Sequence, residues 1–350
     1  MRLINRLAYC LAAAIPVAML AGCSGAGSSG AGGGPLETST IVIDAVPTAD
    51  AAGLYIAQDE GLFTKQGLTV KIAAINGGEY GMGDLQTGKA ELIEGNYVSF
   101  VLAQVAGNFA APDPNNPTGP LQPDKPIDMR IIADSSQMQP GNQGLYVMPG
   151  TRYKSVANVA RDHATVGVNS LHNIGSVLLG SLLAANGFSP NSVHQTPEPL
   201  PLMPQLLSEH KIQTAWLPEP FGTEAQEKYG AVEIADFDQG SLQNFPIGTI
   251  VGTSAWVQSH PNTIAAFLRA YDQGQQIADT DRSAVEKALV LNTGVSQLIA
   301  ANMTLDTYPL AMDVPVMQRV PDAMYQFGVL AKHYDITDMI QPEPGEIPGQ

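Results

Sequence analysis

The sequence predicts an α/β protein of two lobes, each a mixed, mainly parallel sheet flanked by helices, with the lobes joined by a two-crossing hinge. Three observations predict it. From residue 41 short apolar runs alternate with helical stretches, the same alternation restarts near residue 144, and a long apolar run at 248–256 comes late enough to bring the chain back to the first series. Strand, helix and strand in strict succession imply parallel neighbours with helices covering the faces.

In order, Ile41, Val42 and Ile43 open a strand, residues 47–50 form a loop, and residues 51–58 read as a helix. Gly61 and Gly67 bracket a short amphipathic piece, and residues 68–72 alternate as a second strand. Asn76, Gly77 and Gly78 make the next loop. Residues 83–88 lead a short helix toward 89–93, and residues 95–97 precede an apolar helix running to 105. Residues 107–126, rich in Pro, Asn and Gly, read as an exposed insertion. Strands follow at 129–133 and from Gly144. The second series then has strands at 165–168, 193–195, 212–216 and 232–235, with helices at 174–185 and 203–208. The run 248–256 reads as one strand, and helices continue to His333. Crossings at 135–144 and 245–250 divide the body into lobe one, 40–137 and 248–350, and lobe two, 138–247.

The charge balance narrows the function. The 350 residues hold 17 Lys and Arg against 33 Asp and Glu, a net charge of −16, which is ill suited to a phosphate backbone, so no nucleic-acid partner is expected. With 44% hydrophobic and 14% charged residues the chain can bury a sizeable core. The abundance of Gly (35) and Pro (26) places ligand contacts on many short connections.

The first residues stand apart from the fold. Arg2 and Arg6 precede an apolar run at 7–20 that is too short to span a membrane and ends in small residues, as secretory signals do. It closes on Leu20-Ala21-Gly22-Cys23, which resembles a bacterial lipobox. The resemblance implies a signal peptide at 1–22, removed by cleavage, and a lipid-modified Cys23. Residues 23–39, with the Gly/Ser stretch SGAGSSGAGGGP, then read as a flexible tether. Cleavage leaves 15 basic residues against 33 acidic ones, −18, so anchoring to a membrane must come from lipid rather than charge.

Four phrases carry a family resemblance: PTADAAGLYIAQDEGLFTKQGLTVKI, DLQTGKAELIEGNYVSF, TAWLPEPFGTEA and SHPNTIAAFLRAY. In that order, behind a lipobox, they resemble the extracytoplasmic solute-binding proteins of ABC importers for sulfonates, taurine, nitrate and thiamine-pyrimidine precursors. The resemblance spans residues 40–334. It implies a type II periplasmic-binding-protein fold, a ligand caught between the lobes, and partners in a permease and its ATPase. The expected form is a monomer without cofactor, metal or catalytic residues. An enzyme of the thiamine-pyrimidine synthesis type on the same fold, and a tethered ligand-sensing lipoprotein, are the alternatives.

In open α/β lobes ligands lie beyond the carboxyl ends of the strands, where loops meet helix N-termini. Five loops qualify. Lobe one offers Thr48 and Asp50, Asn76 and Gly77, and Asn96 and Tyr97. Lobe two offers Ser170, Asn173, Gly175 and Ser176, whose hydroxyls, amides and backbone N–H groups could hold an anionic head or serve as plain helix caps. In the WLPEPF segment Trp216 could stack on a ligand and Glu219 bind an amine, the alternative being a core Trp and a solvated Glu. His172-Asn173 departs from the family's Gly/Ser turn. None of the five loops holds Lys or Arg, which points to a neutral, zwitterionic or cationic organic ligand before a small multiply charged anion.

Two other chemistries are set aside. GDLQTGKA at 83–90 lacks the final hydroxyl of a phosphate-binding loop, Ala90 standing in its place. The six His are scattered and both Cys fall at or before residue 23, which argues against a zinc site.

Overall fold

The structure, a computed structural model, describes residues 34–105 and 125–340. The expected signal peptide, the lipidated Cys23, residues 24–33 of the tether, residues 107–124 of the insertion and the terminal 341–350 lie outside the described residues.

The chain opens with β1 (Thr40–Ala45), a 3-10 turn at Ala49–Ala51, α1 (Ala52–Asp59), α2 (Leu62–Lys65) and β2 (Thr69–Ala74). A second 3-10 turn at Gly78–Gly81 leads to α3 (Met82–Thr87), β3 (Leu92–Asn96), α4 (Tyr97–Val105) and β4 (Met129–Gln137). Then come β5 (Gln143–Val147), α5 (Val156–Arg161), β6 (Thr165–Val168), α6 (Ile174–Ala185), β7 (His194–Pro197), α7 (Met203–Ser208), β8 (Thr214–Pro218), α8 (Phe221–Tyr229) and β9 (Val232–Asp236). Finally β10 (Pro246–Thr253) is followed by α9 (Ser254–Ser259), α10 (Pro261–Thr280), α11 (Arg282–Thr293), α12 (Gln297–Asn302) and α13 (Val314–Gln326).

These strands form two five-stranded sheets, β2-β1-β3-β10-β4 and β7-β6-β8-β5-β9, and so two α/β lobes. In each sheet four strands share one direction and one opposes them. The opposing strand is β10 in lobe one and β5 in lobe two, each the first strand after a crossing. This arrangement places the amino ends of β5 and β10 beside the carboxyl ends of their neighbours: Gln143 pairs with Pro218, and Gly248 with Asn96. Met138 N–H donates to the Phe245 carbonyl at 2.8 Å, so the two crossings are bonded to each other.

Burial explains the sheets. Ile41, Ile43 and Ala45 are fully buried in β1, which lies between β2 and β3, whereas edge strand β2 is largely exposed. One apolar cluster runs without a break from Phe100, Val101 and Met317 on the lobe-one side to Leu145, Val177 and Trp216 in lobe two, so the lobes are in contact.

The structure departs from the sequence reading in three places. The run 248–256 is not one strand: Thr253 Oγ1 accepts the Trp256 N–H at 3.3 Å and starts α9. Helices α5 and α8 had no sequence signal strong enough to be read, although Ser155 caps the first of them. The folded body also reaches back into the expected tether. Glu37 accepts from the Asn262 and Thr263 N–H groups and the Thr263 hydroxyl at 2.9–3.2 Å, because a carboxylate is favoured at the N-terminus of α10.

Candidate functional site

Between the lobes lies a cavity of about 30 Å3, room for little more than a water molecule. Both sheets and both crossings line it: Val46, Thr48, Asp50, Gly77, Gly95 and Asn96 from lobe one, Asn169, Ile174, Leu200, Trp216 and Pro218 from lobe two, and Gln143 and Ile247 where the crossings enter the sheets. A larger groove, about 440 Å3, runs between α10 and β4, but lobe one alone bounds it. The interlobe position makes the smaller cavity the candidate site.

Its polar groups are held by named partners. Asp50, in the 3-10 turn after β1, accepts the Thr48 hydroxyl at 2.7 Å and the Ser136 hydroxyl at 2.5 Å. Burial raises its pKa. The indole N–H of Trp216 donates to Gln143 Oε1 at 3.0 Å. Asn169 Oδ1 accepts the Gly175 N–H at 3.3 Å, and Asn96 Oδ1 accepts the Ser99 N–H at 3.0 Å. Trp216 is 2% exposed, so its ring is a wall of the cavity and part of the core at once. Gly175 lies under that ring: a Cβ there would stand 2.8 Å from Trp216 Cε3.

Beside the cavity four residues bond the lobes together. Glu79, from the 3-10 turn before α3, accepts the Ser170 hydroxyl of lobe two at 2.9 Å and the Ser99 hydroxyl of α4 at 3.1 Å. Ser99 Oγ in turn accepts from Asn173 Nδ2, at the N-cap of α6, at 2.9 Å. Glu79 is 2% exposed, and burial raises its pKa although these donors oppose the rise. The carboxylate thus sits by the N-termini of α4 and α6, a position that suits negative charge. Of the donors that the sequence offered to an anionic head group, the Ser170 hydroxyl is taken by the protein's own Glu79, the Asn173 amide by Ser99, the Gly175 N–H by Asn169 and the Ser176 hydroxyl by Gln195.

More carboxylates lie nearby. Ser135 Oγ donates to Glu94 Oε1 at 3.0 Å, and Asn142 Nδ2 donates to Asp306. Burial, reinforced by the charge of Asp50, raises both carboxyl pKa values well above the usual range. Among the described residues no group of three or more His, Cys, Asp or Glu is arranged to hold a metal ion.

The sequence-selected residues divide by position. Thr48, Asp50, Gly77, Asn96 and Trp216 line the cavity; Ser170 and Asn173 engage Glu79 and Ser99; Gly175 lies under Trp216. Ser176 Oγ is bonded to Gln195 at 2.5 Å. Asn76 is exposed outside the cavity. Tyr97 is fully buried and donates its hydroxyl to Asp134, which places it in the core of lobe one. Glu219 is turned to α8, where its oxygens accept the Thr223 N–H at 3.0 Å and hydroxyl at 2.7 Å, and it is not among the residues that line the cavity. His172 has φ of 61°, the left-handed region that glycine fills most easily, which gives a physical reason for the family's Gly/Ser turn there.

Gln143, Asn169, Ile247 and Glu79 were not selected from the sequence. Asn169 follows strand β6 directly and was within reach of the carboxyl-end rule. Gln143 and Ile247 were not, because they sit at the amino ends of the two opposing strands.

Residues 139–292 match the model of the NMT1-like family. No curated protein matches the chain in sequence. Among solved structures the chain is similar to the alkanesulfonate-binding protein SsuA from Xanthomonas axonopodis pv. citri bound to MOPS, at 13% identity and a TM-score of 0.69 over 88% of this chain and 99% of that one. The nitrate-binding protein NrtA from Synechocystis PCC 6803 superposes with a TM-score of 0.71 at 16% identity, covering 88% of this chain and 87% of its own. The desulfurization enzyme DSZB gives 0.62 at 14%, over 87% and 97%. The fold is therefore that of the periplasmic binding proteins, a fold that hosts an enzyme as well as binding proteins. The resemblance carried by the four sequence phrases agrees with the family match and with these neighbours.

Proposed function

We propose, from the premise that this chain has the periplasmic-binding-protein fold, that it is an extracytoplasmic solute-binding protein of an ABC importer, tethered through lipid on Cys23. It captures a small organic solute, sulfonate- or taurine-like or resembling a thiamine-pyrimidine precursor, between its lobes and delivers it to the permease. The observation that supports this reading best is a cavity built from the ends of both sheets and from both crossings, so that occupancy and lobe position are coupled. Neighbours of the same fold that bind alkanesulfonate and nitrate add to it.

The test is a thermal-shift panel on the full chain in detergent, with taurine, alkanesulfonates, nitrate, aminopyrimidines and polyamines. A solute at 100 times its Kd adds about 2.7 kcal/mol of stability. A panel in which no solute stabilises the protein refutes the reading, and turnover of a stabilising solute would replace transport with catalysis.

A further inference from the structure

The groove between α10 and β4 lies apart from the interlobe cavity and, at about 440 Å3, is of small-ligand size. Three walls form it: Ile264 and Leu268 on α10, Ile132 on β4, and Leu310 and Met312 in the segment that precedes α13. These walls are bonded to one another. The Tyr271 hydroxyl of α10 donates to the Asp134 carbonyl of β4 at 2.8 Å, and Gln275 Nε2 of α10 donates to the Pro309 carbonyl at 3.2 Å. The groove is therefore preformed within one lobe, and Leu310, 49% exposed, leaves a large apolar side chain at its edge.

Two carboxylates, Asp134 and Asp272, interrupt the apolar lining. Asp134 is 6% exposed. The Tyr97 hydroxyl and the Asp313 N–H use two of the roughly four acceptor positions of its carboxylate, which leaves capacity for a further donor. Asp272, the residue after Tyr271 on α10, is exposed. No Lys, Arg or His is among the residues that line the groove, and neither carboxylate forms an ion pair among the described residues. Burial, reinforced by the charge of Asp313, raises the Asp134 pKa to about 7, as expected of a carboxyl set among apolar side chains with no cation beside it.

Three kinds of small occupant differ in what they meet there. An anion would be repelled by Asp134, Asp272 and Asp313 in surroundings that screen charge poorly. A neutral apolar molecule would fill the volume but leave the buried Asp134 without a counter-charge. A cation with an apolar body would bury that body and offset the carboxylates at once. We propose that the groove is a second binding site, taking a small organic monocation with its ammonium group on Asp134 and its apolar body against Ile264, Leu268 and Leu310. The net charge of −16 draws such cations toward the protein. The site uses no residue of lobe two, so it stands or falls independently of the solute-binding reading above.

The experiment is calorimetric titration of the full chain in detergent, against a protein-free detergent blank, with three probes of one carbon skeleton: cyclohexylmethylammonium, cyclohexylmethanol and cyclohexanecarboxylate. The ammonium is expected to bind at least fivefold more tightly than the alcohol, and the carboxylate more weakly than both. Asp134→Asn keeps an acceptor for the Tyr97 hydroxyl and should erase the lead of the ammonium while the affinity for the alcohol stays within twofold. Ala265→Phe, which fills the groove from α10, should weaken the ammonium at least tenfold, and Asp272→Asn should give a smaller loss. Circular dichroism checks that each variant is folded; should Asp134→Asn fail that check, the other two variants carry the test. An alcohol or carboxylate that binds as tightly as the ammonium, a folded Asp134→Asn protein with undiminished preference, or an Ala265→Phe protein with unchanged affinity overturns the proposal, as does heat no different from the blank for all three probes.

Discussion

Replacing Glu219 by Gln separates a structural role for this carboxyl from a ligand-binding one. Glu219 is 6% exposed and caps α8 through both Thr223 bonds. Burial, opposed by those bonds, raises its pKa from 4.5 to about 7. Below pH 4.5 the folded and unfolded chains both hold the proton, and the group has no effect on the pH dependence. As pH rises toward 7 the unfolded chain releases its proton while the folded chain keeps it, so folding loses stability over that window and the loss levels off above it. About two and a half pH units at about 1.4 kcal/mol each amount to a loss of about 3 kcal/mol. Gln keeps an acceptor for α8 and cannot ionise. Urea unfolding of both proteins between pH 4.5 and 8 should show the variant gaining about 3 kcal/mol relative to wild type across the range, with solute affinity unchanged. Parallel pH profiles would refute the buried-cap assignment, and a large loss of affinity would return Glu219 to the binding site.

Two further perturbations test the interlobe contacts. Ser170→Ala removes a donor from a buried carboxylate, which costs about 1–3 kcal/mol and should shift the lobes toward separation by fivefold or more; interlobe fluorescence transfer reads it, and an unchanged transfer efficiency refutes the bridge. Trp216→Phe keeps an aromatic wall but frees Gln143 Oε1, so it should weaken solute binding by about 0.5–1.5 kcal/mol; unaltered affinity in calorimetry would show that the indole does not set the amide's direction.

The order of elements was legible because parallel strands buried on both faces write themselves as apolar runs, as in β1, and because Gly and Pro mark the turns between them. The last residues of the 248–256 run were not, since Ser254, Ala255 and Trp256 are compatible with strand or helix and the Thr253 cap decides between them. The same division holds at the cleft. Thr48, Asp50 and Asn96 follow from the rule that ligands lie beyond strand carboxyl ends. Gln143 and Ile247 depend on strand direction, which periodicity does not encode. Glu79 and Ser170 are 91 positions apart, and only the closed arrangement of the lobes makes them partners.

The bonds among Glu79, Ser99, Ser170 and Asn173 have a kinetic consequence. They bond the two lobes to each other, so in a solute-binding protein of the proposed kind a solute would reach the cavity only during separations of the lobes. Apparent affinity is then the intrinsic affinity scaled by the fraction of time spent apart, and the capture rate falls below the diffusional limit by a related factor. Every 1.4 kcal/mol added to that closure would weaken the apparent affinity about tenfold. Substitutions at Glu79 or Ser170, which do not line the cavity, would therefore reset the solute concentration at which the cavity fills.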